Sequence, residues 1–84
     1  MKSALITLYD IKSQTYTTPR AEASTGVAIR NFADAVNDSG EKTMLNQHPE
    51  DFTLFHIADF DIQTGNILLL DQKSAIANGV DVKV

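Results

Sequence analysis

Apolar and polar positions alternate loosely through residues 3–9, with Ala4, Ile6 and Leu8 on one side and Leu5, Thr7 and Tyr9 on the other. A period of two is that of a β-strand. Asp10 to Gln14 is polar enough to turn, and Thr15-Tyr16-Thr17-Thr18 has high β propensity before Pro19 ends the ladder. With Lys12-Ser13 in the turn, Tyr9 faces Tyr16 across a hairpin, and directly opposite aromatic pairs contribute about 0.2–1 kcal/mol. The period then changes. Ala28, Ile29, Phe32, Ala33 and Val36 form one helical stripe, with Arg30, Asn31, Asp34 and Asn37 off it. Ser24 or Thr25 suits the N-cap. Asn37-Asp38-Ser39-Gly40 suits the close.

Glu41 to Gln47 is expected to hold one short turn with Met44 and Leu45 inward, and His48-Pro49-Glu50-Asp51 leads into the next strand. Residues 52–60 are apolar on both sides. Phe52, Leu54, His56, Ala58 and Phe60 share one face by strict alternation; Thr53, Phe55, Ile57 and Asp59 share the other. Asp61 to Asn66 reads as a hairpin loop with Gly65 left-handed. Ile67-Leu68-Leu69-Leu70 returns as a strand, Gln72 to Asn78 connects, and Gly79 to Val84 is an optional last strand.

The order is β-β-α-β-β. The expected fold is one α+β domain over residues 1–84, a small antiparallel sheet of four to five strands with one main helix. Eighty-four residues bury only roughly 60–65% of their unfolded surface, and one helix cannot cover both faces of a sheet. An oligomer, most simply a dimer, is therefore expected. Its candidate interface is Phe52, Leu54, Phe55, Ile57, Phe60, Leu68 and Leu70.

The chain has no cysteine, which excludes disulfides and thiolate metal sites. No apolar run approaches the roughly 20 residues of a membrane span, and the N-terminus lacks the long apolar region of a signal peptide. No membrane partner is expected.

The net charge of −4 is unevenly spread. Residues 1–30 carry Lys2, Lys12, Arg20 and Arg30 against two acids; residues 31–84 carry three lysines against nine acids. Single strands are held by aromatic platforms flanked by cations. Lys2, Tyr9, Lys12, Tyr16, Arg20 and Arg30 are therefore the candidate nucleic-acid surface. The plainer alternative is a packed tyrosine pair with solubilising cations. His48, Glu50, Asp51 and His56 are the only group resembling a metal or acid–base set. They lack the helical spacing of zinc hydrolases, and a polar turn plus a hydrogen-bonded strand histidine explains them. No nucleophile elbow, phosphate loop or dinucleotide fingerprint occurs. Neither enzyme activity, cofactor nor metal is expected.

Three segments carry a resemblance: Ala28-Ile29-Arg30-Asn31-Phe32-Ala33-Asp34-Ala35-Val36-Asn37-Asp38, His48-Pro49-Glu50-Asp51-Phe52-Thr53-Leu54-Phe55, and the Thr64-Gly65 turn. In this order the chain resembles the small nonstructural protein of the gokushoviruses, single-stranded DNA phages of the microvirus family. The resemblance implies a non-capsid protein in the cytoplasm of an infected bacterium. It further implies a part in the switch to synthesis and packaging of single-stranded genomes. It brings no catalytic residue. Viral single-stranded DNA is thus one expected partner. A viral replication initiator or procapsid protein is the other, reached as a protein–protein adaptor without DNA contact.

Overall fold

The computed structural model describes residues 1–40 and 42–84. Five strands form one antiparallel sheet: β1 (Lys2–Asp10), β2 (Thr15–Tyr16), β3 (Arg20–Glu22), β4 (Phe52–Asp61) and β5 (Ile67–Asn78). The order is β2-β1-β4-β5, with β3 sharing the outer edge of β1 with β2. Helix α1 (Thr25–Val36) lies on one face, and two single-turn helices, α2 (Met44–Gln47) and α3 (Gly79–Val82), pack against α1 and the turn that leads into β4. The α+β expectation holds.

The helix begins where the sequence places it. Ser24 is extended, and its Oγ accepts from the Val27 N–H at 3.1 Å. Ala28, Phe32 and Val36, spaced by four, are the buried stripe. They meet Ala4 and Ile6 of β1 and Phe52 and Leu54 of β4, which answers which side of β4 the helix covers. Phe52 and Leu54 keep only 8% and 2% of their surface exposed. Both belong to the core of the single chain, with little surface left for an interface with another copy.

The β1–β4 ladder pairs Ile6 with His56 but Leu5 with Ala58, so Ile57 is a bulge. A bulge reverses the alternation beyond it. Strict alternation put Ala58 and Phe60 on the side of Phe52; the bulge puts them with Phe55 instead. It also brings Asp59 to the side of His56, whose Nε2 lies 2.9 Å from the Asp59 carboxylate. The strand histidine thus has the partner its position required.

Three segments depart from the pattern-based expectation. β3 follows directly after Pro19, because Arg20-Ala21-Glu22 pairs with Ile6-Leu5-Ala4. Between β2 and β3 the Thr17 side chain takes over the ladder, its Oγ1 accepting from the Leu8 N–H at 3.0 Å. β5 extends from Ile67 to Asn78, with Leu70–Lys73 bulged out opposite Ile57, where a connector was expected over Gln72 to Asn78, and the optional C-terminal strand is the helical turn α3. Two tertiary contacts override the β propensity of Val80 and Val82. Gly79 packs on the backbone of Pro49, in the single 3-10 turn Pro49–Asp51. Asn37, the C-cap of α1, donates to the Val82 carbonyl at 2.9 Å and accepts from the Val84 N–H at 3.0 Å. Of the short turn expected over Glu41 to Gln47, Met44–Gln47 is helical under a Thr43–Asn46 capping box, with Leu45 packed on the core as expected but Met44 exposed, and Glu41 lies outside the described residues.

A Cβ on Gly79 would fall 2.0 Å from the Pro49 carbonyl oxygen, whereas one on Gly26 would find nothing nearer than 3.8 Å. Gly79→Ala is therefore expected to destabilise by about 1–3 kcal/mol, the range for forced overpacking. Gly26→Ala, inside α1, should stabilise by about 0.4–1 kcal/mol. Urea unfolding of the two variants checks the opposite signs.

At the β4–β5 turn, Gly65 takes φ 77°, the left-handed conformation expected there. Asp61 Oδ1 accepts from the Gln63 N–H at 2.9 Å and the Thr64 N–H at 3.3 Å. The Gln63 bond, foremost, holds the Asp61 carboxyl below its usual pKa. A depressed carboxylate stabilises the fold fully above its unfolded pKa, near 4, and loses that contribution as pH falls through the folded value. Asp61→Asn keeps an acceptor but not the charge. The gap in thermal midpoint between the parent and this variant should narrow as pH falls from 5 to 3.

Candidate nucleic-acid interface

The sheet face opposite α1 carries an aromatic row. The hairpin register sets Tyr9 against Tyr16, as the turn placement implied. Asp10 builds the turn, its carboxylate accepting from the Lys12 N–H at 2.9 Å and its carbonyl from the Gln14 N–H at 2.8 Å. Gln14 absorbs the reversal at φ 58°. The Tyr9 and Tyr16 rings are 4.7 Å apart between centroids, tilted by 45°. Thr7 of β1 pairs with Phe55 of β4, which brings Phe55 onto the same face. Its ring stands edge-on to Tyr16 at 5.7 Å and 66°. Lys73 of β5 completes the group, its Nζ 5.6 Å from the Tyr16 centroid and 5.9 Å from that of Phe55. Tyr16 is exposed and Tyr9 and Phe55 are half-buried, so the row has packed edges and open ring surface.

The structure divides the six residues proposed from the sequence. Tyr9 and Tyr16 touch, with Lys12 at the tip of their hairpin. Arg20 stands opposite Ile6, on the α1 side of the sheet. It helps line a cavity of about 300 Å³ with Phe32, Ala35 and Leu45. Its Nε is 3.3 Å from the Glu22 carboxylate, which also accepts from Asn31 at 3.2 Å. Arg30 is exposed on α1. Lys2 pairs with Asp61 at the far end of β1, seven residues or roughly 23 Å from Tyr9. Lys73 and Phe55 take the place of these cations. Phe55 is among the residues expected at an interface, and Lys73 falls in the expected connector. Reading Ile67–Asn78 as one strand would have set Lys73 on the face of Leu69 and Ala75.

Of the other residues expected at an interface, Phe55, Ile57, Phe60 and Leu70 are half-buried, and Leu68 is 40% exposed. The ligand atoms of His48, Glu50 and Asp51 lie within 4.8 Å of one another around the 3-10 turn, with His48 and Glu50 exposed. His56 is apart from them, bonded to Asp59. Among the described residues, no helix is long and apolar enough to cross a membrane.

Comparison with known proteins agrees with the resemblance read from the helix and the His48–Phe55 segment. The family model described as "Phage ORF5 protein" matches residues 3–82. Protein ORF5 of Chlamydia phage 1 is 37% identical over 68 residues, covering 76% of this chain and 69% of that protein. No solved structure matches. With the match running from β1 to the end of α3, the chain belongs to the phage ORF5 protein family.

Proposed function

We propose that this phage protein assists replication or packaging of a single-stranded DNA genome by holding single strands on the open face of its sheet. It would act without catalysis, as an oligomer in the cytoplasm of the infected bacterium. The observation that carries this reading is the row Tyr9, Tyr16 and Phe55 with Lys73 above it. Sheet-borne aromatics hold unpaired bases by stacking in several unrelated folds, because every base offers a π-face. A net charge of −4 opposes non-specific duplex binding. Stacking, unlike phosphate contact, requires bases freed from pairing.

A second reading rests on the division of the cations. Arg20 is paired with Glu22, and Lys2 and Arg30 lie away from the tyrosines. No single basic patch gathers them. An adaptor whose acidic surface docks on the viral replication initiator or procapsid would need none.

Fluorescence anisotropy with labelled single-stranded and duplex oligonucleotides, over a salt series, separates the two. Under the first reading single strands bind preferentially, and Tyr16→Ala weakens them about tenfold or more, the loss of one stacked base. Lys73→Ala lowers the salt slope by about 0.7, one phosphate contact on a single strand. Arg20→Ala changes little. Absence of binding at low salt rejects this reading in favour of the adaptor.

A further inference from the structure

β5 leaves its ladder at one place. Pairing with β4 stops at Ala58–Leu69 and resumes at His56–Ser74, so Leu70-Asp71-Gln72-Lys73 stand opposite Ile57 alone. Several residues against one must rise out of the ladder, and bulges next to functional surfaces re-aim side chains. Leu70 is half-buried, whereas Asp71, Gln72 and Lys73 are exposed. The side chain so aimed is Lys73. Its Nζ lies over the Tyr16 ring, 5.6 Å from the centroid, and over that of Phe55 at 5.9 Å. Among the described residues Lys73 has no carboxylate partner and no hydrogen bond. The two rings are its only fixed contacts.

We infer that Lys73 is the specificity-determining residue of the open face: a cover on the aromatic row that a phosphate-bearing strand displaces and an uncharged aromatic ligand does not. The inference rests on the reading of that face as a single-strand surface. A base stacking on Tyr16 needs ring surface, and Tyr9, Phe55 and Lys73 already adjoin that ring. Tyr9 is held by the hairpin register and Phe55 by the β1–β4 ladder. Lys73 is the neighbour that can leave, because its bulge has no pairing with β4 to break.

The exchange differs by ligand. A strand brings phosphate, which takes the displaced ammonium in a charge-assisted contact. An uncharged ring brings nothing in return and bears the loss of the cation–π contact, which at an exposed site amounts to about threefold in affinity. Lys73 therefore opposes stacking and favours phosphate, and salt decides which effect prevails. Phosphate contacts fade as salt rises. The cover remains.

The test is anisotropy with a labelled oligothymidylate, from low salt to about 1 M, on the parent, Lys73→Gln and Lys73→Arg. Circular dichroism confirms that each variant folds. Lys73→Gln should bind more weakly than the parent at low salt and about threefold more tightly near 1 M, so that the two salt curves cross. Lys73→Arg keeps the cation and should follow the parent without a crossing. Thymidine, which stacks but carries no phosphate, should bind Lys73→Gln about threefold more tightly than the parent at every salt concentration, read by NMR on the Tyr16 ring. In the free parent the rings should shift the Lys73 ε-protons upfield, and oligothymidylate should return them toward the position of an unshielded lysine. Salt curves that converge without crossing overturn the inference, as does a thymidine affinity indifferent to Lys73→Gln or an unshielded Lys73 in the free protein. Single-strand binding by the parent would survive each of these results. A parent that binds no strand at low salt rejects the underlying reading instead, and the inference with it.

Discussion

The β1–β4 ladder is the constraint on which the remaining structure depends. These two strands are central, and each contributes apolar side chains to both faces. One helix of twelve residues covers only one of those faces. The bulge at Ile57 decides how the apolar side chains are shared. Before it, Phe52 and Leu54 point into the core. Beyond it, Ala58 and Phe60 pass to the open side, while Asp59 arrives beside His56. Without the bulge, Phe60 would lie on the side of α1 and Asp59 would point away from its histidine. The bulge thus makes the core polar-satisfied at that end and leaves the opposite face more apolar than alternation would.

The covered face is closed by backbone contacts that only particular side chains permit. Gly79 lets α3 approach Pro49 closely, and Asn37 joins the end of α1 to Val82 and Val84. Two segments far apart in sequence are thereby held by one asparagine, which would otherwise leave the terminal carbonyls of α1 and α3 to solvent. In so small a chain such ties matter, because the buried apolar set is short: Ile6, Phe32, Val36, Phe52 and Leu54 are its large members.

Much of this was legible in the residues because local and tertiary preferences agree. Ser24 as a cap, the 28–32–36 stripe, the Tyr9–Tyr16 register and Gly65 in the left-handed region each follow from short-range chemistry. Misreadings arose where a distant contact decides. Nothing within Phe52–Asp61 announces a bulge, since its cause is the register of β1 alongside it. Val80-Asp81-Val82 has strand propensity and turns helical because Pro49 and Asn37 wait there. Half of the candidate surface followed from the hairpin. Lys73 did not, because its neighbours Asp71, Gln72 and Ser74 look like loop; pairing with β4 resumes only at Ser74 and Ala75, against His56 and Phe55, just beyond Lys73. The basic character of residues 1–30 was real in composition and misleading in space. β1 and α1 distribute those cations between the hairpin tip, the sheet end and the helix surface.

That distribution bears on how the open face would hold a strand. A surface with Lys73 above it and Lys12 nearby cannot rely on counterion release, the main source of duplex affinity. Under the proposed function its attraction would come from stacking on Tyr9, Tyr16 and Phe55, and stacked bases are available only in unpaired DNA. The acidic remainder of the chain would then raise selectivity, by repelling the dense phosphates of a duplex more than the sparser charge of a single strand. A weakly charged platform also releases its strand readily. Under the proposed role in replication or packaging, such ready release would let the strand be passed on.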